Sequence, residues 1–329
     1  SGLGWPLAHP WSARFTGAHC SPDEFTPMAE WQILEPDVDT VLGNCADPFQ
    51  ALAAGTIPGV VVRNAYDAAS CQTVIKRFVE DDLIPDPARP DTILDGDYQT
   101  VGHFRSDDGA NRPLRIDIGT SLVNKTRLNA DFEDPNRNRE AFLEHSEGTY
   151  ALFERLFDGL DDPVACLYDT LRRLACGRIV QPAEEPDGRR YGPAIFRVHY
   201  AGQTYAPHIN HVRRYDKLTE FAVTRFEYQF AGLICFQNPA ATSDSPHATI
   251  HDCDWDEGIE ERIQAGTYRS YAAQQGVREA RIVVEPGDFY LFNSGLIHEV
   301  GPVTGDDARI VLATFIGYSP GDREVFVWA

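Results

Sequence analysis

From about residue 192 onward the apolar positions of this 329-residue chain recur every second residue, after a first half whose clear periodicities are helical. A period of two puts successive side chains on opposite faces of a strand, so that one face packs and the other is free to line something else. The segments 194–200, 204–212, 228–236, 247–251, 281–285, 288–293, 308–317 and 324–328 read this way, with turn residues between them. Short strands in such succession predict a β-sandwich or jelly roll. The helical signals lie upstream. Asp67 stands as an N-cap before Cys71, Val74, Ile75, Phe78 and Val79, and a second helix is expected from about Arg139 to Phe157. A third is expected over 163–175, where Val164, Leu167, Tyr168, Leu171 and Leu174 share a face and Gly177 follows as a stop. Helices before the strands, rather than between them, predict an α+β fold: a double-stranded β-helix buttressed by N-terminal helices.

Residues 1–56 are rich in Pro and Gly and show little periodicity. They are expected to form an irregular N-terminal arm packed on the body, because Trp5, Trp11 and Trp31 are poorly placed in water. Residues 57–329 then read as one domain, with helical support over 57–190 and the jelly-roll core over 191–329. Hydrophobic residues make up 43% of the chain, enough for such a core and too many for general disorder. The charge balance of 29 basic against 50 acidic residues gives −21. That repels a phosphate backbone and an anionic membrane surface, so neither a nucleic-acid nor a membrane partner is expected. No run approaches the roughly 18 apolar residues of a membrane span, and no charged-then-apolar leader opens the sequence. The seven cysteines are scattered with no CxxC pair, which fits free thiols. A cytoplasmic protein acting on a small molecule is the expectation, and the oligomeric state is left open.

Two short stretches carry the chemistry. The first holds Tyr200, Gly202, Gln203, Tyr205, Pro207, His208 and Asn210. If 204–212 is a strand, His208 and Asn210 point to one side and His211 to the other. The second runs from Pro286 through Gly287, Asp288 and Phe292 to His298, ninety residues beyond His208, and Arg309 follows eleven residues later in an apolar run.

Together these resemble the Fe(II)- and 2-oxoglutarate-dependent oxygenases, a superfamily on the cupin-like jelly roll. The likeness is strongest to the prolyl-4-hydroxylase-like branch, whose pattern reads Tyr, then Gly-Gln-x-Tyr-x-Pro-His-x-Asp. The stretch Ala248 to Trp255 is also similar to a segment of small-molecule hydroxylases and hapalindole-type halogenases. The resemblance covers residues 192 to 320 and, loosely, the helices before them. It implies that His208, Asn210 and His298 occupy the catalytic metal site, where two histidines and a carboxylate ordinarily hold Fe(II) with three positions open. The co-substrates are then 2-oxoglutarate and dioxygen. Arg309 would anchor the far carboxylate of the keto acid, with Tyr200 or Tyr205 bonding the same group or simply packing on the barrel wall. Asn293, His199 and Arg213 are candidates for the substrate pocket.

The chain departs from that pattern at position 210, where Asn stands for Asp. Hydroxylation of a small molecule at an unactivated carbon, in a biosynthetic pathway, is the leading expectation, with the metal site altered at Asn210. Asn210 is then either the mark of a disabled or re-engineered oxygenase or a natural weak ligand or supporting group, and one alternative is a catalytically silent binding module on the same fold. Another is an iron/2-oxoglutarate halogenase. Family halogenases carry Gly or Ala in the carboxylate slot and admit chloride there, whereas Asn is nearly the size of Asp and would obstruct the space. A zinc or cupin-type lyase is a distant further alternative. Three other groups have blander readings. His211 is expected to be structural. The acidic residues Asp252, Asp254, Asp256, Glu257, Glu260 and Glu261 lack the spacing of a calcium loop and read as a solvated loop. The basic cluster of Arg189, Arg190, Arg213, Arg214 and Lys217 would either receive an anionic substrate or pair with nearby carboxylates.

Overall fold

The period-two segments form strands that, with four strands from upstream and one over Leu296–Val300, divide among the described residues between two sheets, one of nine strands and one of four. The larger sheet runs β1 (Val60–Val62), β10 (Phe289–Asn293), β7 (Tyr228–Gln237), β12 (Arg309–Tyr318), β5 (Ile195–His199), β3 (Pro113–Ile118), β2 (Val101–Arg105). β13 (Glu324–Trp328) pairs with β12, and β4 (Ile179–Pro182) lies parallel to β13. The smaller sheet runs β6 (Tyr205–His208), β11 (Leu296–Val300), β8 (Ala248–Asp254), β9 (Glu279–Ile282). The computed structural model describes residues 31–86, 101–105, 113–122, 135–214, 220–239 and 246–329.

Alternation along the larger sheet separates its two jobs. Ile195, Arg197 and His199 on β5, Tyr290 and Phe292 on β10, and Arg309, Val311 and Ala313 on β12 line a pocket that residues of the smaller sheet also line. The intervening residues, among them Phe196, Val198, Leu291, Ile310 and Leu312, face the other way into the main core. There they meet α1 (Val38–Asn44), α2 (Pro48–Ala53), α3 (Ala68–Glu80), α4 (Pro135–Leu156) and α5 (Pro163–Leu174). Phe196 is the hub of this layer, edge-on to Phe78 at 4.8 Å and to Phe236 at 4.9 Å between ring centroids. The expected α+β jelly roll with helical buttresses is the observed architecture.

Four expectations change in detail. Residues 31–56 are not irregular: Asp37 and Asp47 cap α1 and α2, whose Val38, Val41, Phe49 and Leu52 are buried. At seven and six residues these helices are too short to show a period. Trp31 is buried, and its indole donates to the Gly55 carbonyl at 3.1 Å. Residues 1–30, with Trp5 and Trp11, lie outside the described residues. Secondly, the helices do not all precede the strands. α6 (Glu257–Gln264) and α7 (Tyr268–Gln275) stand between β8 and β9, and their Ile259, Tyr268 and Ala272 pack on Ile209 and Ile297. Thirdly, the acidic run belongs to ordered elements. Asp252 and Asp254 lie in β8, and Asp256 caps α6 by accepting from the Ile259 amide at 2.7 Å, with Glu257 and Glu260 in the favoured first turn. Finally, β6 ends at His208 rather than continuing to 212, because the Asn210 amide leaves the ladder to donate to the Ser294 carbonyl at 2.8 Å.

Cys45, Cys71, Cys166, Cys176, Cys235 and Cys253 are free thiols. Among the described residues no helix is long and apolar enough to cross a membrane.

Candidate active site

Two poles face the pocket, one of imidazoles and one of cations. The imidazole pole comes from the smaller sheet, where β6 and β11 pair so that His208 and His298 are direct cross-strand partners. Their ring centroids are 4.3 Å apart. Each ring is oriented from behind: His208 Nδ1 donates to the Ala206 carbonyl at 2.7 Å, and His298 Nδ1 to the Leu296 carbonyl at 2.8 Å. A nitrogen facing a carbonyl must carry the proton, so in the neutral ring each Nε2 keeps its lone pair. Both Nε2 atoms converge on the Asn210 side-chain amide, whose Nδ2 lies 3.2 Å from each. Burial and the neighbouring His208 push the His298 pKa well below the usual histidine value, and burial also lowers that of His208. Two neutral imidazoles with converging lone pairs are what a transition-metal ion requires.

Among the described residues no group of three His, Cys, Asp or Glu gathers to hold a metal ion. The third place at this pole falls to Asn210. The segment carrying it is strapped to the turn between β10 and β11, since Ser294 Oγ donates to the Asn210 carbonyl at 2.9 Å. The residues fit a two-histidine iron centre whose third protein position is a neutral amide.

The cationic pole comes from the larger sheet. Arg309 is 4% exposed. It donates to the Tyr290 hydroxyl at 2.9 Å and to His199 Nδ1 at 3.3 Å, and none of its hydrogen-bond partners among the described residues is a carboxylate. The strand register explains the second contact, because Arg309 and His199 are cross-strand partners on β12 and β5. With Nδ1 accepting, His199 Nε2 donates to the Tyr205 hydroxyl at 2.9 Å, which also receives Arg115 at 3.2 Å. Tyr205 therefore has its own proton free to donate. Burial, then repulsion from Arg309, Arg197 and Arg115, holds the His199 pKa well below the usual value, so the ring is neutral. A buried guanidinium flanked by hydroxyls is a seat for a carboxylate.

The other sequence candidates fall elsewhere. Tyr200 follows Phe196 and Val198 onto the core side, and its hydroxyl is buried without a hydrogen-bond partner. Asn293 likewise alternates away from the pocket: it accepts from the Gly295 amide at 2.9 Å and donates to Leu52 of α2 at 3.3 Å. Arg213 spends its guanidinium on the carbonyls of Thr224 and Arg225. His211 donates to the Glu227 carbonyl and accepts from the Arg213 amide, which leaves no ring nitrogen for a metal. The basic cluster is dispersed among local partners. Arg189 pairs with Glu140 and Asp187, Arg190 lies over the Tyr150 ring, and Arg214 pairs with Glu260 above the Trp255 ring. Lys217 lies outside the described residues. Sequence reasoning missed Tyr290 and Arg197, which share the pocket wall with Arg309. The signal was the alternation itself, since an arginine two residues before His199 on one strand must face the same side.

A jelly roll with imidazole and cationic poles lining one pocket defines the non-haem Fe(II)/2-oxoglutarate-dependent oxygenase class of enzymes. The chain belongs to the carrier-protein-independent halogenase WelO5 family, whose model matches residues 128–329. No curated protein matches the sequence. Among solved structures, an N-substituted L-amino acid dioxygenase from Burkholderia ambifaria AMMD, in complex with α-ketoglutarate, is 16% identical. It aligns at a TM-score of 0.44 over 85% of this chain and 89% of its own. The non-haem α-ketoglutarate-dependent epimerase SnoN from nogalamycin biosynthesis is 11% identical, at 0.41 over 83% and 84%. HygX from Streptomyces hygroscopicus, with nickel and 2-oxoglutarate bound, is 13% identical, at 0.38 over 83% and 87%.

Proposed function

We propose that this chain is an Fe(II)- and 2-oxoglutarate-dependent halogenase acting at an unactivated carbon of a small molecule. The observation that carries the reading is the meeting of two neutral imidazole nitrogens with no carboxylate beside them among the described residues, in a member of a halogenase family. Bound iron and keto acid would supply, with dioxygen, the oxidising power to remove hydrogen from carbon. The protein's share is placement. His208 and His298 hold the metal through Nε2, and their Nδ1 bonds keep both rings aimed. Arg309, Tyr290 and Tyr205 take the far carboxylate of the keto acid, while His199 holds Arg309 and Tyr205 in line. The apolar wall of Ile195, Leu233, Phe292, Val311 and Phe315 excludes water and receives a carbon skeleton. Asn210 supplies no charge, which leaves the third protein position open to an exogenous anion once the amide turns aside.

Hydroxylation is the second reading. It is favoured by the amide of Asn210 itself, which lies 3.2 Å from both nitrogens and fills the place a halide would take. The test uses the intact chain with Asn210→Gly and Asn210→Asp variants, loaded anaerobically with Fe(II) and 2-oxoglutarate and followed by the metal-to-ligand charge-transfer band. Oxygen is then admitted with a panel of apolar small molecules in chloride or bromide buffer. The halogenase reading expects a band in all three proteins. It expects halogen isotope patterns in products from the parent and Asn210→Gly chains, and hydroxylated product from Asn210→Asp. Hydroxylated product from the parent chain in either halide selects the second reading. Absence of the band from all three ends both.

A further inference from the structure

We propose that Arg197 is the seat of a monovalent anionic group bound at the metal, a carboxylate or a halide, separate from the group that Arg309 holds. The proposal rests on the metal-centre reading above. On β5, Arg197 stands between the core-facing Phe196 and Val198 and lines the same pocket as His208, Asn210, His298 and Arg309. Its cross-strand partner on β12 is Val311, one inward step from the His199–Arg309 pair, so the two guanidiniums are diagonal neighbours on one wall.

Unlike Arg115 and Arg309, Arg197 has no polar side-chain partner among the described residues. Arg115 has Asp117, and Arg309 has Tyr290 and His199. The Arg197 Nε is buried with no acceptor, and no described side chain forms an ion pair with the guanidinium. A half-buried cation without a partner is costly unless a ligand completes it. Two residues before His199 on the same face of β5, it lines the pocket together with His208 and His298 as well as Arg309. The charge count points the same way. An aspartate at 210 would give the metal one negative charge; Asn210 gives none and Arg197 adds a positive one, so the pocket favours a further anion.

One anionic chemistry here has two sources, the metal-end carboxylate of the keto acid and a free halide. They are separated by titrating 2-oxoglutarate and then chloride, in chloride-free buffer without oxygen, into the Fe(II)-loaded chain while reading the charge-transfer band. The parent chain is compared with Arg197→Met, Arg197→Lys and Arg309→Gln. Arg197→Met is expected to raise the half-saturating concentration of either 2-oxoglutarate or chloride at least tenfold, and whichever moves names the source. Arg197→Lys is expected to recover most of that loss. Arg309→Gln should weaken 2-oxoglutarate alone. Because an unpaired cation is removed, Arg197→Met should melt no lower than the parent. Half-saturation values within twofold of the parent for both anions would overturn the proposal, as would a lowered melting temperature with unchanged titrations. A parent chain that gives no band with 2-oxoglutarate fails the metal-centre reading and this proposal with it. A parent band with an indifferent Arg197→Met fails this proposal alone.

Discussion

At the scale of single residues the pocket depends on keeping three imidazoles uncharged. His199, His208 and His298 all have pKa values pushed below the ordinary 6.5 by burial. The unfolded chain would take up protons on these rings near pH 6.5, whereas the folded chain would not, so stability rises with pH through that region. Their contribution is full above about pH 6.5 and is lost as the medium becomes more acidic. Urea midpoints of the metal-free chain should therefore fall between pH 7.5 and 5.5, and His199→Gln should flatten that slope. An equally steep slope in His199→Gln would mean that burial and the neighbouring Arg309, Arg197 and Arg115 do not hold His199 neutral. The sequence made His208, Asn210, His298 and Arg309 legible because each lies in a short ordered motif. It left Tyr290 and Arg197 unread because neither is a motif position, and alternation assigns them to the pocket only once a neighbour such as His199 or Phe292 is known to face it. The same ambiguity set Tyr200 beside Tyr205, though only Tyr205 lines the pocket.

At the scale of elements, β12 carries the cationic pole at one end and a tight packing point at the other. A Cβ added at Gly317 would lie 2.3 Å from the Phe226 ring, which packs over the strand with Phe326 and Trp328 around it. Gly317→Ala should destabilise the chain by about 1–3 kcal/mol through overpacking. Pairing it with Phe226→Leu should restore part of that loss, measured by chemical denaturation. Equal stability of Gly317→Ala and parent would show that Phe226 moves aside freely. Among elements, long strands and helices with a sustained period were legible, as with α3, α5, β7 and β12. The eight-residue helices α6 and α7 were not, because two turns give an apolar stripe too few points. β11 was missed: the strand expected over 288–293 matches β10, but none was expected over 296–300, where five residues give alternation too few points.

At the scale of the whole molecule, the two poles come from different sheets, and a ligand touching both ties those sheets together. Fe(II) and 2-oxoglutarate supplied together should raise the melting temperature by several degrees, since a ligand at 100 times its Kd adds about 2.7 kcal/mol. Either one alone should do less, and Arg309→Gln should lose the 2-oxoglutarate increment while keeping the metal increment. Equal shifts with and without the keto acid would mean that Arg309 does not engage it.

The position of β12 has a further consequence, for the order in which the protein is made. β5 and β7 meet only through β12, which fills the gap between them along residues Arg309 to Tyr318. Until residues 309–318 are made, β1, β10 and β7 have no described strand joining them to β5, β3 and β2, so β7 and β5 would each present an unpaired edge. Such edges invite pairing with a neighbouring nascent chain. The strand that closes this gap is also the one that brings Arg309, so a chain still open to misassembly is also one that cannot yet hold its co-substrate.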